Sequence, residues 1–435
     1  MLPLTLLLAC STSEPEVEVA SSEPGSYEDL DGDGYGTDRD CDDTDPTVHP
    51  GALEVCDGRR TNCSSLEWDD DKGVVTWWGE DGTVYDYSSA FAVGGTLLIE
   101  SEGELDICPG TYDIELQFDV FGSVTVRGHD ATLSGGGSHP IIVLDGIPDR
   151  LNVIEGLRFE GASGGSALWV DGPALVRDST FVHNRAHQGA AIHATSDTLT
   201  VENCTFEDNH AEFGGGAIRV LDQDLTVTDA TFINNQAPDF GGAIQVQGGA
   251  VELTDLLMVD NGSANGGHVY VGIGSMHAER VTVQGQAFPG DMGGAFRVDG
   301  DLTLVDSSIT GTEAHVGGAV AGEAVALIRS ALVDNRSPAS AGSSSVGGTV
   351  YATRTLDCED SQLTNSEGQV GSVAYLHTSD TGTVLTSVGC EWEGTVLPGA
   401  SVASGTLHLS LNDENTFIEE PTGSDFSCDE SGCRP

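Results

Sequence analysis

The sequence predicts an all-β solenoid, a parallel β-helix, and three observations carry that expectation. From about Gly164 to Leu376, two short words recur in step roughly every 26 residues. Stretches of alternating apolar and polar residues lie between them. No repeat carries a run with helical periodicity.

The first word reads Gly215-Gly216-Ala217-Ile218, Gly241-Gly242-Ala243-Ile244, Gly293-Gly294-Ala295-Phe296 and Gly317-Gly318-Ala319-Val320, with variants at Gly165-Ser166-Ala167-Leu168, Ala190-Ala191-Ile192, Gly266-Gly267-His268-Val269 and Gly347-Gly348-Thr349-Val350. Paired glycines permit a sharp corner that a β-carbon would obstruct. The second word reads Phe181-x-x-Asn184, Phe206-x-x-Asn209, Phe232-x-x-Asn235, Met258-x-x-Asn261 and Leu332-x-x-Asn335, weaker at Ile309 and Leu363. Its Asn is expected at a tight turn, tolerating φ > 0 and bonding its neighbours in adjacent coils as a ladder. Between the words, segments such as Leu199-Thr200-Val201-Glu202 alternate with period two, so one face is buried. A strand-only unit of this length cannot bury that face alone. Stacking does it: Ile218 lies between Ile192 and Ile244, and Phe206 between Phe181 and Phe232. Eleven or so coils at the strand spacing make a rod on the order of 50 Å long.

The Gly-Gly-Ala-Ile and Phe-x-x-Asn pair resembles the repeats of the chlamydial polymorphic outer-membrane proteins and related right-handed β-helices, over roughly half the chain. That resemblance implies a pectate-lyase-like right-handed parallel β-helix, a scaffold shared by adhesins, tailspikes, polysaccharide lyases, hydrolases and epimerases. It speaks for the fold and only weakly for function. Alternating ten-residue segments of a membrane barrel are not seen, so self-transport across an outer membrane is not expected. Leu105-Asp106-Ile107-Cys108-Pro109-Gly110-Thr111-Tyr112 resembles the entry coil of bacterial β-helices, and the solenoid is placed over residues 94–412, with a tail over 413–435.

Seventy acidic residues against sixteen basic ones give a formal charge of −54. Such a field disfavours nucleic acid, anionic lipid surfaces and uronate polymers unless cations intervene. Residues 1–10 form an apolar run ending Leu7-Leu8-Ala9-Cys10, which resembles a bacterial lipobox, so lipid on Cys10 is expected to anchor the chain to a bacterial outer membrane or cell surface. The Ser/Glu/Pro/Val stretch over 11–27 then reads as a disordered tether.

The densest chemistry lies in a module over 28–72. Asp29-Leu30-Asp31-Gly32-Asp33-Gly34-Tyr35 runs on to Asp40 and places carboxylates at loop positions one, three, five and twelve, with Gly at six. That is the spacing by which an EF-hand-like loop wraps Ca²⁺ in oxygen ligands. Asp29, Asp31 and Asp33 would supply side-chain oxygens, Tyr35 a backbone carbonyl and Asp40 the closing carboxylate. The run from Cys41-Asp42-Asp43 to Cys56-Asp57-Gly58 extends the likeness: together these residues resemble the MopE-type metal-binding motif of bacterial surface proteins, over roughly 35 residues. Arg59-Arg60-Thr61-Asn62-Cys63 stands where that family has an acidic segment. A second metal position is therefore in doubt, though Asp69, Asp70 and Asp71 could compensate.

Of ten cysteines, Cys56 with Cys63 and Cys428 with Cys433 are plausible disulfide partners in an exported chain. Cys41 could pair within the module, and Cys204 is expected to pack as a small buried residue. No zinc-type spacing is present.

Within the solenoid, Trp169, His193, Arg219, Gln245, Tyr270, Arg297 and Tyr351 occupy equivalent outward positions after each glycine corner. Aligned on one face, they could grip a glycan by stacking and hydrogen bonds, or merely cover an exposed sheet. A second column, Asp178, Asn203, Asp229, Asp255, Asp306 and Asp360, offers the paired carboxylates a glycosidase needs, yet its recurrence in every coil reads as a turn constraint. The residues thus favour a calcium-binding surface lipoprotein that presents a β-helix for glycan or surface adhesion, with no catalytic residue assigned. A polysaccharide lyase or glycoside hydrolase, and a passive envelope spacer, are the alternatives.

Overall fold

The computed structural model describes residues 28–64, 73–120, 122–137, 139–146, 150–286, 289–338, 345–368, 373–377 and 383–393, followed by strand segments at 396–399, 407–411, 416–417, 427–429 and 432–434. Cys10 with its lipobox, the tether, and Asp69 to Asp71 lie outside the described residues. Two units are distinguished. One comprises Met1–Glu54 and Arg60–Trp68; the other comprises Val55–Arg59 and Asp69–Pro435.

The larger unit is a parallel β-helix. An antiparallel arm, Val75–Gly79 with Val84–Asp86, pairs on Gly103–Ile107, and the short helix Ser88–Val93 leads into the first parallel strand, Gly95–Ile99. After the long strands Gly110–Val120, Val124–Ser134 and Asn152–Glu160, the coils from Leu168 to Ile233 carry three short strands each. Coil by coil, the first face runs Leu168–Asp171, Ile192–Ser196, Ile218–Val220; the second Ala174–Arg177, Leu199–Glu202, Leu225–Thr228; the third Thr180–Val182, Thr205–Glu207, Thr231–Ile233. From Ile244–Thr254 to Val350–Glu359 the first two faces merge into single long strands, several of which bend at register shifts, and they separate again as Ala374–His377 and Thr383–Val388.

The register puts like on like. Ile192 pairs with Ile218 and Ile218 with Ile244, while Phe181 pairs with Phe206 and Phe206 with Phe232. The rings of Phe159, Phe181, Phe206 and Phe232 stack at 4.5, 5.1 and 4.7 Å between centroids, nearly parallel and fully buried. Each contact adds about 1 kcal/mol beyond the apolar area it removes from water. The two glycines of a corner do different work. Gly241 adopts φ 56°, whereas a β-carbon on Gly242 would lie 2.2 Å from the carbonyl oxygen of Gly267 in the next coil.

The Asn ladder forms, but the positive φ falls one residue earlier than the turn argument places it. His183, Asp208, Asn234 and Asp260 take φ of 50° to 55°, and Asn184, Asn209, Asn235 and Asn261 turn inward with no exposed surface. Each inward amide then bonds both ways along the stack. Asn209 Nδ2 donates to Phe181 O and to Asn235 Oδ1, each at 2.9 Å, and Asn235 Oδ1 also accepts the Asn209 backbone N–H. In the next coil Gln286 takes the ladder position and its side chain accepts from Glu313 N instead. His268, standing where the word usually has Ala, fills the gap. Its Nδ1 accepts from Asn261 Nδ2 at 3.1 Å and its Nε2 donates to Gly285 O at 2.7 Å.

The acidic column is a turn column. Asp178, Asn203, Asp229, Asp255, Asp306 and Asp360 all have φ between 47° and 57°, which requires a residue tolerant of the left-handed region. Partners of opposite character relieve part of the repulsion: Asn203 Nδ2 donates to Asp178 at 2.6 Å, and Arg280 and Arg329 clamp Asp255 and Asp306 through two nitrogens each.

Disulfides join Cys41 to Cys63, Cys56 to Cys108 and Cys358 to Cys390. The expected Cys56–Cys63 pair is therefore wrong. Cys56 belongs with the solenoid unit and bonds a cysteine of its entry coil, a partner 52 positions away that local spacing does not reveal. Cys428 lies opposite Cys433 in an antiparallel pair. Cys204 is buried and free, and burial pushes its thiol up to about 12.

Two tests follow from the stack. His268→Ala restores the consensus word yet leaves Gly285 O and one of the two N–H groups of Asn261 Nδ2 without the partner His268 supplied, the other still donating to Phe232 O, so denaturant titration should show a loss of about 2 kcal/mol. Burial holds the His268 pKa down at about 4 against an ordinary 6.5. The unfolded chain therefore takes up this proton first, stability falls as pH drops from 6.5 towards 4, and the variant should lose less across that window. Second, Val176 and Cys204 occupy the columns of Cys358 and Cys390, and Cys204 Sγ already lies 3.7 Å from Val176 O. Val176→Cys should form a third solenoid disulfide, read by loss of free thiol, and stabilise by about 3 kcal/mol.

Candidate functional site

The smaller unit is built around carboxylates rather than an apolar core; among its described residues only Val48 and Ala52 are buried and apolar. Four aspartates follow one scheme. Asp31 Oδ1 accepts from Asp33 N, Asp33 Oδ1 from Tyr35 N, Asp40 Oδ1 from Asp42 N, and Asp43 Oδ1 from Leu30 N, at 3.2, 2.8, 2.8 and 3.3 Å. One oxygen of each carboxylate thus shapes the loop. The other oxygen, Oδ2 in all four, is buried without a hydrogen-bond partner.

Four orphaned, buried carboxylate oxygens are costly unless a cation meets them. The spacing fits one: ligand atoms of Asp31, Asp33 and Asp40 lie within 4.8 Å of one another, as do those of Asp29, Asp31 and Asp43. Oxygens on opposite sides of a Ca²⁺ ion stand about 4.8 Å apart, twice a typical bond. Burial raises the pKa of Asp31, and the charges of Asp33, Asp40 and Asp29 raise it further against the pull of the Asp33 backbone N–H. A bound cation would reverse that penalty.

Asp29 is exposed, and its two oxygens accept from Gly32 N at 2.7 Å and Gly34 N at 3.1 Å, so it also organises the turn. The Tyr35 ring stacks on His49 at 5.3 Å. Asp43 was missed in the sequence because loop counting stops at position twelve; its signal was the unbroken Asp40-Cys41-Asp42-Asp43 run. The Cys41–Cys63 disulfide beside Asp40 consumes both sulfurs, leaving no thiolate for a metal. Glu54 closes the unit, accepting from Thr61 N at 2.9 Å and Asn62 N at 2.6 Å.

On the solenoid, the outward column is continuous in register from Trp169 through His193, Arg219, Gln245, Tyr270 and Arg297 to Ala321, Tyr351 and Tyr375. Its exposure is uneven, which the expected open face did not include. Arg219 and Gln245 are only 7% and 4% exposed. The turn segments that follow the third face fold back as a further ladder, Arg185–Gln188 on His210–Gly214, and bring aromatic rings over the column. Phe213 lies 5.9 Å from the Arg219 guanidinium, and Phe240 lies 4.7 Å from Tyr270. Under this roof His193 Nε2, Arg219 Nε and Nη1, and Gln245 Oε1 have no hydrogen-bond partner. Burial, then the Arg219 charge, holds the His193 pKa down at about 4.

Beyond Arg297 the column changes. Ala321 offers only a methyl between two large neighbours, and a hollow of about 420 Å³ opens there, lined by Asp299, Glu323, Tyr351, Arg354 and His377 among others. A second hollow of about 470 Å³ shares Asp299, Glu323 and Arg354.

The comparisons agree with this division. Residues 40–66 match the family model Cu-binding_MopE, described as "Putative metal-binding motif", and residues 121–288 match a right handed beta helix region. The first match takes in Asp40 and Asp43 and begins after Asp29, Asp31 and Asp33. No curated protein matches the chain. Among solved structures, "a new PL6 alginate lyase complex with trisaccharide" is similar at 12% identity, covering 80% of this chain and 87% of that chain with a TM-score of 0.38. A likeness that remote carries no argument about substrate.

Asp43→Asn removes a carboxylate charge from the buried set, whereas the exposed Asp42 caps Thr44. Calorimetric titration with a divalent cation should show at least about tenfold weaker binding for Asp43→Asn and little change for Asp42→Asn.

Proposed function

We propose that this protein is a lipid-anchored surface protein of a bacterium that binds Ca²⁺ in its N-terminal module and uses the β-helix to adhere to a glycan or other surface. The observation that carries the calcium reading is the set of four orphaned Oδ2 atoms. An oxygen-only donor set with no thiolate and no imidazole favours a hard cation over copper, whatever the short name of the matching family model. Support for the anchor is the Leu7-Leu8-Ala9-Cys10 run; support for adhesion is the stretch of the aligned column beyond the roof, where Arg297, Tyr351 and Tyr375 are partly exposed on one face.

Cleavage of a polysaccharide on the same scaffold is the second reading. Asp299, Asp301, Glu323 and Arg354 gather in the stretch where the regular repeat bends, and an active site is expected to break a repeat rather than follow it.

An array of polysaccharides and cell-surface preparations, probed with purified protein with and without Ca²⁺, separates the two. Adhesion predicts binding without product; a lyase or hydrolase predicts unsaturated or reducing ends that disappear with Glu323→Gln. For the module, the Asp31→Ala and Asp33→Ala double variant should lose Ca²⁺ binding in calorimetry, and unchanged binding would sink the ligand assignment.

A further inference from the structure

We propose that the notch over Ala321 is a subsite for an uncharged saccharide. The inference rests on the adhesive reading of the solenoid and assigns it a place and a chemistry.

Shape comes first. Along the column Arg297, Ala321 and Tyr351 are register neighbours, so a single methyl, itself only 2% exposed, separates two long side chains at the base of the hollow, which Met292, Gly322 and Thr353 also line. About 420 Å³ is enough for a sugar ring or two. The neighbouring hollow is floored by Gly249, Gly274 and Gly300, where the merged strands bend. A β-carbon on Gly274 would lie 1.9 Å from Gly249 O, and one on Gly300 would lie 2.0 Å from Gly274 O, so the trough stays free of side chains for a packing reason.

One wall is aromatic. Tyr351 and Tyr375, half-buried, stack at 5.8 Å with an interplanar angle of 6°, and His377 lies 6.2 Å from Tyr351. A sugar presents an apolar face of C–H groups that such a flat, supported surface accepts.

The rim decides the charge class. Asp299, Asp301 and Glu323 are exposed, and their free lone pairs can accept from hydroxyl groups. Both guanidiniums are already engaged. Arg297 donates to Asp299 at 2.9 Å and to Asn265 at 2.6 Å, while Arg354 pairs with Glu323 at 3.1 Å and with Asp301. Tyr270 also donates to Asp299, at 3.0 Å. Among the described residues, neither arginine of the rim is left without a carboxylate of its own, and a formal charge of −54 repels polyanions before they arrive. Hydroxyl-rich, uncharged rings are what remains.

The test uses the full chain in Ca²⁺ with neutral hexasaccharides of the cello, malto and laminari series, against oligogalacturonate of equal length, by calorimetry. Binding of at least one neutral series with no measurable binding of oligogalacturonate is expected. Tyr351→Ala, which removes the stacking face, and Ala321→Leu, which fills the notch, should each weaken it at least tenfold, while Thr226→Ala on the second face should not. Circular dichroism confirms that each variant is folded, and the two variants act by different means. Neutral-sugar binding that survives both would overturn the subsite while sparing adhesion elsewhere. Preference for oligogalacturonate would overturn the charge class. Shortening of the bound sugar, lost with Glu323→Gln, would replace a binding subsite by a hydrolytic one. No binding to any saccharide or cell surface would remove the adhesive reading itself.

Discussion

In-register parallel stacking is the constraint on which the rest depends, because it makes every side chain a neighbour of its equivalents one coil above and one below. What a position tolerates is therefore what it tolerates against itself at a strand's spacing. Phenylalanine rings meet the condition by lying face to face, and asparagine meets it because an amide carries both donor and acceptor. Aspartate does not meet it. The left-handed turn columns want Asp or Asn, and carboxylates are mostly interleaved there with Asn203, Arg280 or Arg329, the adjacent Asp229 and Asp255 being eased by the Arg280 clamp on Asp255. Two of the chain's few arginines are used in this way, which helps explain how so acidic a protein holds a regular stack.

Much of this was legible in sequence for the same reason. A periodic structure writes a periodic text, so the words containing Gly241-Gly242 and Phe206-x-x-Asn209 gave both the fold and the register that aligns Trp169 with His193 and Arg219. What could not be read is what the period does not encode. The roof over Arg219 comes from turn segments whose trace in the sequence is Phe213 and Phe240, and these look like ordinary loop residues until the backbone folds back. Similarly, the ladder asparagines and the left-handed residues are adjacent, and a count along the chain cannot say which of Asn234 and Asn235 faces the core.

The module was legible to the extent that its ligands follow a loop count. Asp31, Asp33 and Asp40 were found by spacing; Asp43 joins them because the chain after Asp40 turns back and lets Asp43 hold Leu30 N. Cys56 pairs with Cys108 because residues 55–59 fold with the solenoid unit, a division no composition shift marks.

The disulfides have a consequence for how the solenoid comes apart. In a one-dimensional array a terminal coil has one neighbour and an interior coil has two, so opening ordinarily begins at an end and runs inward like a zip. Here the cross-links Cys56–Cys108 and Cys358–Cys390 sit towards the two ends. The strands stacked past Cys390 can still open, but fraying that reaches either cross-link stops there, and further opening has to start inside, where two interfaces break before any chain entropy is gained. The barrier to unfolding then rises more than the equilibrium stability does, and the rod is built for persistence in time.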